Sequence, residues 1–180
     1  MKTSRIKTTL IQSIVFAFIL LTLTASQTLA QQASFSLRAL DSGTVAASDL
    51  RGKIIVLAVG ASWLPLSEDE AKGIKQLSAK YGQKNVEFFW VFTDSESPKS
   101  RNYASDESLK SFAKTHSLSV KLLRDPEGVQ MKRLGVTQVP AFLILGKDGS
   151  VFGSPMEGID PEGDSTIQLE NSIQKALGAK

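Results

Sequence analysis

The sequence predicts an α/β fold with a mixed β-sheet at its centre. Apolar runs at 53–59, 86–92 and 141–145, rich in β-branched and aromatic residues, read as strands buried on both faces. Between and after them, apolar residues recur at helical spacing, as at Ala71, Ile74, Leu77 and Tyr81. The order is strand, helix, strand, helix, antiparallel hairpin and closing helix, which is the plan of an α/β or mixed-sheet domain.

The elements follow in order along the chain. Lys2, Arg5 and Lys7 lead into an apolar stretch, Leu10 to Leu23, and then a small-residue exit at Thr28-Leu29-Ala30. A positive region, an apolar region and a small residue at the cut describe a secretory signal peptide over residues 1–30, cleaved near Ala30 or at a nearby site such as Ser26. The rival reading is an uncleaved membrane anchor. Gln12 and Ser13 interrupt the run, and a span needs about 20 apolar residues. Residues 31–49 form a polar lead-in with short alternating patches at Phe35, Leu37 and Val45. After the 53–59 strand, Ser67 with Glu70 makes a capping-box pattern at the start of a helix that closes at Gly82. The 86–92 strand carries Phe88, Phe89, Trp90 and Phe92. Thr93 to Ala104 reads as a polar surface loop, and Ser105 caps a helix to about His116 with Leu109, Phe112 and Ala113 inward. A short strand at Val120 to Leu123 precedes Asp125-Pro126-Glu127-Gly128, which opens a short helix ending near Gly135. Lys147-Asp148-Gly149-Ser150 is a hairpin turn between the 141–145 strand and a return strand starting at Val151. Ser165 with Gln168 opens the last helix, with Ile167, Leu169, Ile173, Ala176 and Leu177 as its apolar positions.

Composition limits the chemistry. The 180 residues are 42% hydrophobic and 22% charged, which is ordinary globular usage. There is no cysteine, so disulfides, thiol catalysis, thiolate metal sites and iron–sulfur clusters are all excluded. A lipoprotein anchor is excluded for the same reason. One histidine, His116, rules out a multi-histidine metal centre. Met131 and Met156 are too sparse for copper. No cofactor is expected. Three of the 21 basic residues and none of the 18 acidic ones lie in residues 1–30, so the remainder carries equal numbers of both signs. A neutral domain has no electrostatic reason to bind nucleic acid or an anionic membrane. Residues 31–180 are enough for one domain with a full core.

Several short motifs in this order resemble the thioredoxin-like redoxins, in particular the extracytoplasmic cytochrome-maturation type and their peroxiredoxin-like relatives. Asp49-Leu50-Arg51-Gly52-Lys53 is similar to the family's loop before its first core strand, and Ala61-Ser62-Trp63 to the approach to its redox motif. Asp125-Pro126-Glu127-Gly128 and Gly135-Val136-Thr137-Gln138-Val139-Pro140 resemble the stretch that ends at the family's cis-proline, and Lys147-Asp148-Gly149 its hairpin. The resemblance runs from about Phe35 to Leu177 and implies a three-layer fold, a central mixed sheet flanked by helices. It also implies thiol–disulfide exchange at Trp-Cys-x-x-Cys. Here Leu64 and Ser67 occupy both cysteine positions, and Pro65 follows the first position instead of preceding the second. Exchange needs a thiolate, and an unactivated serine is a poor nucleophile. The family's oxidoreductase or antioxidant chemistry therefore stands as ancestry only.

The remaining residues have weighed readings. Ser67 reads as a helix cap; as a nucleophile it lacks a neighbouring base. Trp63, Leu64, Pro65 and Leu66 form either an apolar contact surface or a turn whose Trp63 and Leu66 pack inward. The resemblance makes the Val139–Pro140 bond cis and leaves the backbone of Val139 free to pair with an extended peptide. Glu68, Asp69 and Glu70 read as a solvated helix start, Arg124 beside Asp125 as a surface ion pair, and His116 as a surface residue suited to a helix C-terminus. The function expected is a redox-inactive polypeptide-binding or scaffold domain, periplasmic or secreted, with a polypeptide partner held at Trp63, Leu64, Pro65, Leu66, Val139 and Pro140. The alternatives are non-thiol chemistry at Ser67 and a structural partner that uses another face.

Overall fold

The computed structural model describes residues 32–158 and 165–179, so the leader expected at 1–30 lies outside the described residues. The sheet grows outward from a parallel core. Strands β3 (Ile54–Gly60), β4 (Val86–Phe92) and β5 (Lys121–Arg124) run parallel, with Val56 opposite Phe88 and Val91 opposite Leu123. On one side β6 (Ala141–Leu145) pairs antiparallel with β3, and β7 (Met156–Glu157) with β6. On the other side β1 (Ser36–Ala39) pairs antiparallel with β5, and β2 (Thr44–Ala46) with β1. The strand order is β2-β1-β5-β4-β3-β6-β7. The lead-in that the sequence offers only as alternating patches is thus a hairpin of the sheet, because Leu37 and Val45 face each other and share a buried side.

Side chains alternate along the central strands and divide the core in two. Ile54, Val56 and Ala58 of β3 face a cluster with Ala71, Ile74 and Leu77 of α1 (Ser67–Tyr81), Leu109 of α2 (Asp106–Thr115), and Leu169 and Ile173 of α4 (Ser165–Gly178). Ile55, Leu57 and Val59 face the opposite cluster, closed by Met131 of the short helix α3 (Val129–Arg133) and by Leu50 of the single turn Ala47–Leu50. The result is three layers. Within α4 the expected inward set holds at Leu169, Ile173 and Ala176, whereas Ile167 is exposed because it stands one position off that stripe. Ser105 caps α2 as expected, accepting the Ser108 N–H at 3.2 Å.

The two ends of β3 do different work. At its start, the Lys147–Ser150 turn lies close by, with Gly52 N–H donating to Lys147 C=O at 2.8 Å. Gly149 takes φ +80 there, a conformation that glycine adopts without a Cβ penalty. Gln32 pairs with Ser150 and Ala33 donates to Gly149, so the described chain enters the domain at this end. The other end, at Gly60, leads into α1 and builds the candidate site.

Candidate functional site

Between Gly60 and α1 the chain makes overlapping turns. Leu64 N–H donates to Ala61 C=O, Ser67 N–H to Leu64 C=O and Glu68 N–H to Pro65 C=O, each at 3.1 Å. The side chain that fixes the entry is Asp94, which follows β4 and is fully buried. Its carboxylate accepts the Ser62 hydroxyl at 2.6 Å and the Ser62 N–H at 3.1 Å. Sequence reasoning missed Asp94, and the sequence carries no signal that pairs it with a serine across two strands.

The helix start corrects two expectations. Ser67 is not a cap. It is the first helical residue, 0% exposed, with its Oγ accepting the Ala61 N–H at 3.4 Å, and α1 has no side-chain cap. The chain is already helical at Leu66, whose C=O accepts the Glu70 N–H at 3.2 Å, so Ser67 cannot present its hydroxyl to the free N–H groups of the first turn. The acidic triplet also divides. Glu68 and Asp69 are exposed, as expected, but Glu70 is buried on the same stripe as Ala71, Ile74 and Leu77. Burial pushes its carboxyl well above the usual carboxylate range, and the backbone N–H dipoles of Val59 and Ala141 offset this only in part.

Opposite the corner runs the loop before β6. Its Val139–Pro140 peptide is cis. Glu157 of β7 holds this loop, accepting the N–H and the hydroxyl of Thr137 and the Gln138 N–H at 3.4 Å. Those donors keep the Glu157 carboxyl below the usual range. Among the described residues, neither the N–H nor the C=O of Val139 has a hydrogen-bond partner.

A cleft of about 170 Å³ lies between Trp63 and Val139, floored by Val59 and Met131. Glu127 and Lys132 also line it, with the Lys132 ammonium donating to the Glu127 C=O at 3.0 Å. Glu127 and Gly128 adopt φ +61 and +63, and the buried Asp125 carboxylate accepts the N–H groups of Gln130 and Met131, which opens α3. Trp63 is 51% exposed and points outward, while Leu64 and Leu66 are half-buried, Pro65 is exposed and Pro140 is buried. Of the six residues expected at a contact surface, only Trp63 and Val139 therefore line the cleft. Tyr103 and Val129, two of the other exposed large apolar residues, adjoin its lining residues Asn102 and Gly128 in sequence.

Arg124 is a further correction. It is 3% exposed, not a surface residue, because it lies at the end of the central strand β5 beneath the 93–104 loop. Its guanidinium donates to Asp106 at 2.6 Å, Ala104 C=O at 2.7 Å and Ser95 C=O at 3.0 Å. His116 is half-buried at the end of α2, its ring 4.3 Å from that of Phe112. Among the described residues no group of three His, Asp or Glu side chains could hold a metal, and no helix is long and apolar enough to cross a membrane.

Comparison with known proteins agrees with this architecture. The thiol-disulfide oxidoreductase ResA of Bacillus thuringiensis subsp. konkukian is 26% identical over 143 residues, covering 79% of this chain and 74% of that protein. The thioredoxin-like protein YneN of Bacillus subtilis is 26% identical over 121 residues, 67% of this chain and 66% of its own. Among solved structures, a putative thiol:disulfide interchange protein DsbE from Chlorobium tepidum superimposes with a TM-score of 0.70 at 24% identity, covering 83% of this chain and 97% of that one. A secreted disulfide oxidoreductase of Mycobacterium tuberculosis gives 0.63 at 23%, covering 79% and 96%. These likenesses show a thioredoxin-like fold. Residues 29–153, more than half of the sequence, match the AhpC/TSA family, and the chain belongs to that family without a cysteine anywhere in it.

Proposed function

We propose that this protein is a redox-inactive thioredoxin-like domain that holds an extended polypeptide at the corner and cleft, outside the cytoplasm. The observation that carries the reading is Trp63, half exposed beside the unpaired backbone of Val139, at a corner that has no thiol. An extended segment would add one short β-type pairing to the Val139 N–H and C=O and lay an apolar side chain against Trp63. No reaction follows the docking. A mixed disulfide needs a thiolate, and Leu64 and Ser67 stand where the family has cysteines. Nor does Ser67 act as a nucleophile in this reading, since its hydroxyl is fully buried and accepts the Ala61 N–H. The location outside the cytoplasm rests on the leader-like residues 1–30 and on the secreted relative of the same fold.

The test is a photo-crosslinker at position 64 in the protein's own host. One discrete adduct, absent with the probe at Lys114 on exposed α2 and lost in Trp63→Ala, is the expected result. Trp63→Ala itself should cost only about 1 kcal/mol, since half of the ring is in water. A folded, exported protein with no adduct at 64 overturns the reading.

A further inference from the structure

Beneath the corner sits a buried carboxyl for which the binding role has no use. Glu70 is 1% exposed, and among the described residues neither of its oxygens has a hydrogen-bond partner. The indole Nε1 of Trp90 on β4, fully buried beside it, has none either. Both groups crowd Gly60. A Cβ on that residue would stand 2.5 Å from Glu70 Oε2 and 2.9 Å from Ser67 Oγ and Trp90 Cζ2, so the carboxyl occupies the space that any other residue would fill.

Among the described residues no charge neutralises Glu70. On its own helix, Glu68 and Asp69 point to solvent, and Asp69 pairs with Lys72. β3 offers Gly60 and the backbone of Val59, β4 offers Trp90, and β6 offers the backbone of Ala141, none of which titrates. The corner's other buried carboxylate, Asp94, is turned to Ser62. An ionised carboxylate in such surroundings is strongly disfavoured, and the protein can relieve it by taking up a proton or by letting water in. The easiest way for water is the start of α1, which lacks a side-chain cap and follows the exposed Trp63 and Pro65.

We propose that Glu70 is a proton-operated latch on the corner: its neutral carboxyl keeps the first turn of α1 seated on Gly60 and Trp90, and its ionisation draws water inward and unseats residues 61–70. Because burial raises the folded-state value, the stabilisation is complete below the unfolded glutamate value of about 4.3 and is lost as pH rises towards the folded one. Inside that window one proton makes opening at most about tenfold easier per pH unit. The latch concerns the corner's own conformation and is measured with no partner present. Its failure leaves the binding proposal standing, and the reverse also holds.

The experiment follows glutamate side-chain carboxyl resonances in carbon-13-labelled protein from pH 4 to 10. In parallel it records amide exchange, corrected for intrinsic rates, in wild type, Glu70→Gln and Glu68→Gln. One glutamate titrating well above the rest is expected, with protection at 61–70 falling up to tenfold per pH unit below its midpoint and levelling off above it, while 54–58 stays protected. Glu70→Gln should show neither event, and the exposed Glu68→Gln on the same turn should keep both. The latch is overturned if every glutamate titrates in the ordinary range, if Glu70→Gln keeps the wild-type profile, or if 54–58 opens equally. If Glu70→Gln does not fold, the wild-type titration and exchange decide alone.

Discussion

Arg124 illustrates what one buried cation organises at the scale of a residue. It joins β5 to the 93–104 loop and to the start of α2, and Asp106, which it shares with Arg38, is the hub. The two arginines, Arg38 first, hold the Asp106 carboxyl down to about 2. A depressed carboxylate stabilises the fold above its unfolded value of about 3.9 and loses that contribution as pH falls through the folded value. Between about pH 4 and 2 the wild type should therefore lose stability that Asp106→Asn does not, measured as the acid dependence of the urea midpoint. If the two acid limbs have equal slope, the network is not what holds this loop at low pH. None of it could be read from the sequence. Arg124 beside Asp125 reads as a local pair, but its partners lie 18 to 29 residues away, and Asp125 turns instead to cap α3.

At the scale of elements, the passage from β3 into α1 is where the sequence was clear in outline and opaque in detail. The strands at 53–59, 86–92 and 141–145 were legible because burial on both faces leaves a continuous apolar run. The helix is legible from its stripe, whereas its first turn is not. Three consecutive acids look like a solvated start, and only the alignment of Glu70 with Ala71, Ile74 and Leu77 could have shown that one of them faces inward. The capping box failed because Leu66 is already helical, which puts Ser67 inside the helix. That geometry supports a prediction about the corner. Leu64→Cys with Ser67→Cys should close an intramolecular disulfide on oxidation, since the turn that carries Ser67 N–H to Leu64 C=O at 3.1 Å brings these two positions together. Mass spectrometry of the oxidised, non-reduced double variant showing two free thiols would contradict this arrangement of the turn.

For the whole molecule, a cysteine-free member of a thiol-based family should be indifferent to redox conditions. The purified protein should show no disulfide-reductase turnover, and its melting temperature should be the same with and without dithiothreitol. A dithiol-dependent activity in a homogeneous preparation would contradict the redox-inactive reading. The three-layer architecture was legible from element order, whereas the cleft was not, since Trp63, Glu127, Lys132 and Val139 meet only once the sheet has formed. The polarity of that sheet has a practical consequence. Gln32 joins the domain beside the 147–150 turn, and the corner lies at the far end of β3, a seven-residue strand of about 23 Å. A dye carried on Gln32 itself thus sits by the opposite end of β3 from Trp63. Surface capture through that position would present the aromatic face outward, as a hook hung by its shank leaves its point free.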